Sequence, residues 1–80
     1  MTFLLRSSVM WDGKKSDYNI FEYKLTPSKY KAELISSDLN FPIREIVFWK
    51  SKKGWQSTPN SNAVRNVVEV LGNDIDNFSN

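Results

Sequence analysis

Two tryptophans six positions apart, Trp49 and Trp55, enclose Lys50, Lys52 and Lys53 in the stretch FWKSKKGWQ. Aromatic rings offer faces on which nucleobases stack, and ammonium groups offer phosphate contacts, so the stretch has the ingredients of a single-stranded nucleic-acid site. The same residues also suit an ordinary hairpin, in which tip lysines keep the sheet edge soluble and two rings on one face form a cross-strand pair. Catalytic chemistry has fewer means here. The chain has no histidine and no cysteine, which removes the usual general base, the thiolate nucleophile and the commonest metal ligands. Glu22, Glu33 and Glu45 fall on separate predicted strands, and the glycines at 13, 54 and 72 are too scattered for a phosphate loop. Asn73, Asp74, Asp76 and Asn77 make an acidic run without the glycine and distal glutamate of a calcium loop.

The 80 residues make one domain, 1–80, because dividing the chain leaves no piece able to bury a core of its own. Large rings let a short chain bury apolar area efficiently, and aromatics make up 14% of this one. The N-terminal MTFLLRSSVMW carries a short apolar run that Arg6 interrupts. It has neither the basic flank of a signal peptide nor the length of a membrane span, so a soluble, cytoplasmic protein with no membrane association is expected. The net charge of +2 is unevenly spread: residues 1–65 hold all eleven Lys and Arg against six Asp and Glu, whereas residues 66–80 hold only Glu69, Asp74 and Asp76. This distribution fits an acidic tail that offsets a basic body, and also a basic sheet that meets a polyanion.

Residues 1–57 alternate with period two and residues 58–80 carry helical spacing. The expected fold class is therefore α+β: a four- to five-stranded antiparallel β-meander with one C-terminal α-helix packed on one face. In the first segment Phe3, Leu5, Val9 and Trp11 share a parity, and in the second Phe21, Tyr23 and Leu25 do. A two-residue Asp12-Gly13 loop would put Phe21 on the face opposite Leu5. A loop of three or five residues is expected instead, gathering Phe3, Leu5, Phe21 and Tyr23 on one face. Thr26-Pro27-Ser28-Lys29 suits a type I turn, pairing Leu25 with Tyr30, Tyr23 with Ala32 and Phe21 with Leu34. After a loop at Ser36 to Pro42, Ile43 to Lys50 reads as a strand, and Lys52-Lys53-Gly54 as a turn returning the chain at Trp55 to Ser57. On that register Trp49 and Trp55 share the face toward the helix. Thr58-Pro59, Ser61 or Asn62 can open the helix, whose apolar stripe is Val64, Val67, Val68 and Leu71. Ile75 and Phe78 continue the stripe, so an unbroken helix is expected, with a kink or a second start at Gly72 as the alternative.

The strand Ile43 to Lys50 breaks the alternation of its neighbours: Ile43, Val47 and Trp49 fall on one side, Ile46 and Phe48 on the other. One helix covers one sheet face. Ile46 and Phe48, with Ile35 and Leu4, are then either closed over by residues 39–41 and the N-terminal segment or left as an exposed apolar patch, a usual mark of association. The expectation is a small non-enzymatic protein-interaction module working through an exposed sheet face at Leu4, Ile35, Ile46 and Phe48. Its partner is a protein, a second copy of the chain in a homodimer included. The alternative is a single-stranded nucleic-acid-binding protein using hairpin 48–56 through Trp49, Lys50, Lys52, Lys53 and Trp55. No catalytic residue, metal or cofactor is expected.

Overall fold

The computed structural model describes residues 1–23 and 28–79. Strands β1 (Thr2–Trp11), β2 (Lys14–Tyr23), β3 (Lys29–Ser37), β4 (Glu45–Ser51) and β5 (Gly54–Thr58) form one antiparallel sheet in sequence order. Helix α1 (Asn62–Ser79) packs on one face, against β1, β4 and β5. This is the α+β meander with a C-terminal helix that the two periodicities call for.

The helix starts where Ser61 caps it: the Ser61 hydroxyl accepts from the Val64 N–H at 3.3 Å, satisfying one of the first-turn donors. It runs unbroken through Gly72. Val64, Val67, Val68, Leu71 and Ile75 are buried as one stripe, but Phe78 lies outside it and is 59% exposed. On the sheet, Val9, Tyr18, Ile20, Ala32, Ile46 and Phe48 complete the core. The buried hydroxyls are satisfied. Ser7 donates to the Asp74 carboxylate, Ser16 and Ser37 share a hydrogen bond of 2.6 Å, and Ser57 donates to the Pro59 carbonyl at 2.9 Å.

The strand registers differ from those expected, and the differences decide which residues face the helix. Trp11 pairs with Lys14, so the first loop is the two residues Asp12-Gly13, both at positive φ (52° and 74°). That backbone twist matches two antiparallel strands, and glycine adopts it without steric cost. The parity conflict that argued for a longer loop is absorbed elsewhere: Phe3 pairs with Phe21 and Leu5 with Ile20, leaving Leu4 as an extra residue in β1. Phe21 therefore does fall on the face opposite Leu5.

The second hairpin also shifts. Tyr23 pairs with Lys29, Glu22 with Tyr30, Phe21 with Lys31 and Ile20 with Ala32, in place of the pairs expected from a Thr26–Lys29 turn. The turn itself, and Leu25, lie outside the described residues. Between Asp17–Ser36 and Tyr18–Leu34 a second irregularity leaves Ile35 unpaired in β3. In the last hairpin Lys50 pairs with Trp55 and Trp49 with Gln56, so only Lys52 and Lys53 form the loop, with Gly54 at a φ of 104° as the strand resumes. Trp49 and Trp55 consequently face opposite ways. Trp55 packs toward the helix, its ring 5.6 Å from Phe48 and 5.8 Å from Tyr30, while Trp49 is on the face that no other described residue covers, away from the helix.

Tyr18 ties the core to the 38–44 connection by donating its phenol proton to the Ile43 carbonyl at 2.7 Å. Burial pushes its pKa above the ordinary 10.0. The unfolded chain therefore ionises before the folded one, so this contribution to stability is whole below about pH 10 and falls as pH rises beyond it. Urea titrations at increasing alkaline pH are expected to show stability fall above that point, and Tyr18→Phe to reduce the pH dependence.

Candidate functional site

Alternation along the strands places a distinct set of side chains on the face away from α1. From one end to the other its rows are Tyr23, Lys29, Trp49 and Gln56; then Phe3, Phe21, Lys31, Val47 and Thr58; then Arg6, Asn19, Glu33 and Glu45. The first two rows hold four aromatic rings and a valine. Phe3 and Phe21 meet edge to face with centroids 5.8 Å apart, and Phe3 remains 54% exposed. Phe21, Tyr23, Val47 and Trp49 are half-buried. The Lys29 ammonium sits 5.3 Å from the centroid of the Trp49 ring, a cation–π contact on the solvent side.

Charge on this face is sorted by position. Lys31 lies between Glu33 at 3.2 Å and Glu45 at 3.5 Å, and its hydrogen bond to Glu33, aided by the Glu45 charge and opposed by burial, raises its pKa. Farther along, Asp17 pairs with Lys15 at 3.6 Å and accepts from Ser8 at 2.6 Å; chiefly that hydrogen bond holds its pKa below the ordinary 3.8. The carboxylates are thus engaged by neighbouring cations and lie beyond the aromatic rows. Among the described residues Lys29, Lys52 and Lys53 have no carboxylate within ion-pair distance. All three stand at the end of the sheet that carries Tyr23 and Trp49, because β2 and β4 end there and β3 and β5 begin there.

The residues singled out from sequence scatter. Ile46 and Phe48 are 0% exposed beneath the helix, so the expected exposed patch is not there; Ile46 pairs with Ala32, which pairs with the buried Ile20, and this register turns that side of β4 inward. Leu4 is half-buried against the core, and Ile35, 43% exposed, stands apart at the irregularity in β3. Of the basic hairpin, Trp49, Lys52 and Lys53 stay accessible. Lys50 and Trp55 belong to the helix side, where the Lys50 ammonium lies 3.2 Å from the Asp76 carboxylate and 5.7 Å from the Trp55 ring. Phe3, Phe21, Tyr23 and Val47 join the accessible cluster without having been expected there, whereas Lys29 lies on the outer face as its parity in β3 predicts. Asp12-Gly13 was the signal for two of them, since accepting its two-residue loop turns Phe21 and Tyr23 to the face opposite Leu5.

A second feature lies at the opposite end of the molecule, an apolar cavity of about 190 Å³ between the β1–β2 hairpin, the 38–44 connection and α1. Val9, Trp11, Tyr18, Phe41, Ile43 and Val67 line it, and Phe41 is 96% exposed at its mouth. Among the described residues no three Asp or Glu side chains gather to hold a metal ion, and no helix is long and apolar enough to cross a membrane. Comparison of the chain with protein-family models, with curated proteins and with solved structures returns no match, so its affinities rest on this geometry.

Proposed function

We propose that the chain is a non-enzymatic recognition module whose working surface is the aromatic end of the uncovered sheet face. The observation that carries this is the group Phe3, Phe21, Tyr23, Val47 and Trp49 on a face that no other part of the described chain covers. A solvated sheet face normally alternates polar residues against a buried side, and large apolar side chains gathered on one are a mark of association. Here they form two groups, Phe3, Phe21 and Tyr23 on β1 and β2 and Val47 and Trp49 on β4, with Lys29 and Lys31 of β3 between them. A mean hydropathy of −0.48 with 25% charged residues suits an aqueous compartment, and the cytoplasm is the setting proposed.

A protein partner, a second copy of the chain included, is the second reading. It draws support from Glu33 and Glu45 bordering the rings, since protein interfaces surround an apolar centre with charges of both signs. Ile46 and Phe48 have no part in it, being under the helix.

If the rings are kept for recognition, the fold does not depend on them. Trp49→Ala and Tyr23→Ala are each expected to cost about 1 kcal/mol or less, the worth of a cross-strand pair, in a urea titration. Trp49→Ala that unfolds the domain would make the ring structural and end this proposal.

A further inference from the structure

We infer that the occupant of this face is a single-stranded nucleic acid, its bases stacking on Phe21, Tyr23 and Trp49 and its phosphates meeting Lys29, Lys52 and Lys53. The inference rests on the recognition surface proposed above and names what fills it.

Ring placement is the first support. Phe21 and Tyr23 are two residues apart on one face of β2, which sets them about 6.8 Å apart along the strand. Trp49 is two strands from Tyr23 in the same row, about 10 Å across the sheet. Stacked bases in a duplex strand are about 3.4 Å apart. The rings are too widely spaced to meet consecutive stacked bases and suit a strand whose bases are splayed, each on its own ring.

Charge is the second. Residues 1–61 carry ten Lys and Arg against six Asp and Glu, a net +4, and residues 62–80 carry Arg65 against three acids, a net −2. The sheet portion is therefore positive and the helix portion negative. Among the described residues Lys29 on this face and Lys52 and Lys53 in the β4–β5 loop have no carboxylate partner and stand at the Trp49 end, whereas Glu33 and Glu45 in the row beyond the rings pair with Lys31, and Asp17 farther along pairs with Lys15. A polyanion approaching the aromatic end meets cations that need not first leave a carboxylate. Lys29 already lies over Trp49, so it can pass from the indole face to a phosphate as a base takes its place.

The test is fluorescence anisotropy of a short, mixed-sequence DNA single strand titrated with the whole chain, repeated over a series of salt concentrations. Binding is expected at low salt, with the logarithm of the association constant falling against that of salt at a slope of about −2, as three phosphate contacts require. Trp49→Ala should weaken it between about fivefold and a hundredfold, and Lys52→Glu with Lys53→Glu should remove it. Lys14→Glu, at the far end of the sheet, should leave it within about twofold of the parent, and the matching duplex should bind more weakly.

Three results would overturn the inference: no binding at low salt, duplex bound as tightly as single strand, or Lys14→Glu as damaging as the Lys52 and Lys53 changes. Failure of the recognition surface itself reads out separately. If Trp49→Ala folds like the parent and no oligonucleotide binds, the surface stands and its occupant is not a nucleic acid. A dimer by sedimentation that Trp49→Ala dissociates would identify that occupant as a second copy.

Discussion

Ile46→Glu is expected to unfold the domain, and Phe48→Ala to remove a large part of its stability. Both side chains are 0% exposed in the core cluster. An unpaired carboxylate in such a place costs several kcal/mol even after its proton returns. The Phe48 ring lies 5.6 Å from both Tyr30 and Trp55, so its loss leaves a cavity among rigid rings that cannot close by small adjustments, at about 3–5 kcal/mol. A domain of 80 residues has only about 4–12 kcal/mol in total. Circular dichroism of Ile46→Glu should therefore show little native signal at 25 °C. Urea titration of Phe48→Ala should show a lowered midpoint with an unchanged slope. The opposite outcome, two folded variants that differ from the parent only in self-association, would put β4 the other way round and the helix on the other face.

That β4 has two apolar sides is plain from Ile43, Val47 and Trp49 against Ile46 and Phe48, and so is the helical stripe from Val64 to Ile75. Which side of β4 meets the stripe is not. Strand parity passes from neighbour to neighbour, and a one-residue error in any hairpin inverts everything after it. The β1–β2 and β2–β3 pairings each hold one extra residue, Leu4 and Ile35, and nothing in the types of those residues marks a bulge. Grouping Phe3, Leu5, Phe21 and Tyr23 as one face was reasonable by burial and wrong by geometry, because β1 changes parity between Phe3 and Leu5. The candidate site suffered the same way. Its chemistry, rings beside lysines near one hairpin tip, is legible in residues 48–56. Its membership is not, because Tyr23 and Lys29 reach Trp49 only through the register of two hairpins.

Gly72→Ala should destabilise the parent by about 1–2 kcal/mol yet stabilise a Trp55→Val background. A methyl group on a helical glycine normally raises stability by up to about 1 kcal/mol through backbone entropy. Here a Cβ at Gly72 would lie 2.3 Å from the Trp55 indole nitrogen and 2.4 and 2.6 Å from two of its ring carbons, far inside contact distance. Tyr30 and Phe48 hold the indole on one side, and giving way toward the open side near Lys53 and Glu69 would cost it that aromatic packing. Overpacking of this kind costs about 1–3 kcal/mol, enough to outweigh the helical gain. With valine at 55 the indole is gone, so the alanine keeps its helical advantage and meets no obstacle. The coupling in a double-mutant cycle is then about 2–3 kcal/mol, well above the few tenths expected for independent sites. It would explain why the apolar stripe of α1 is interrupted by a glycine without the helix ending there: the gap admits the one tryptophan of the basic hairpin that faces inward. If Gly72→Ala instead stabilises the parent by the ordinary helical amount, the indole does not rest on the helix. Trp55 would then be available on the surface beside Lys50, and the two tryptophans of the hairpin would have to be weighed together again.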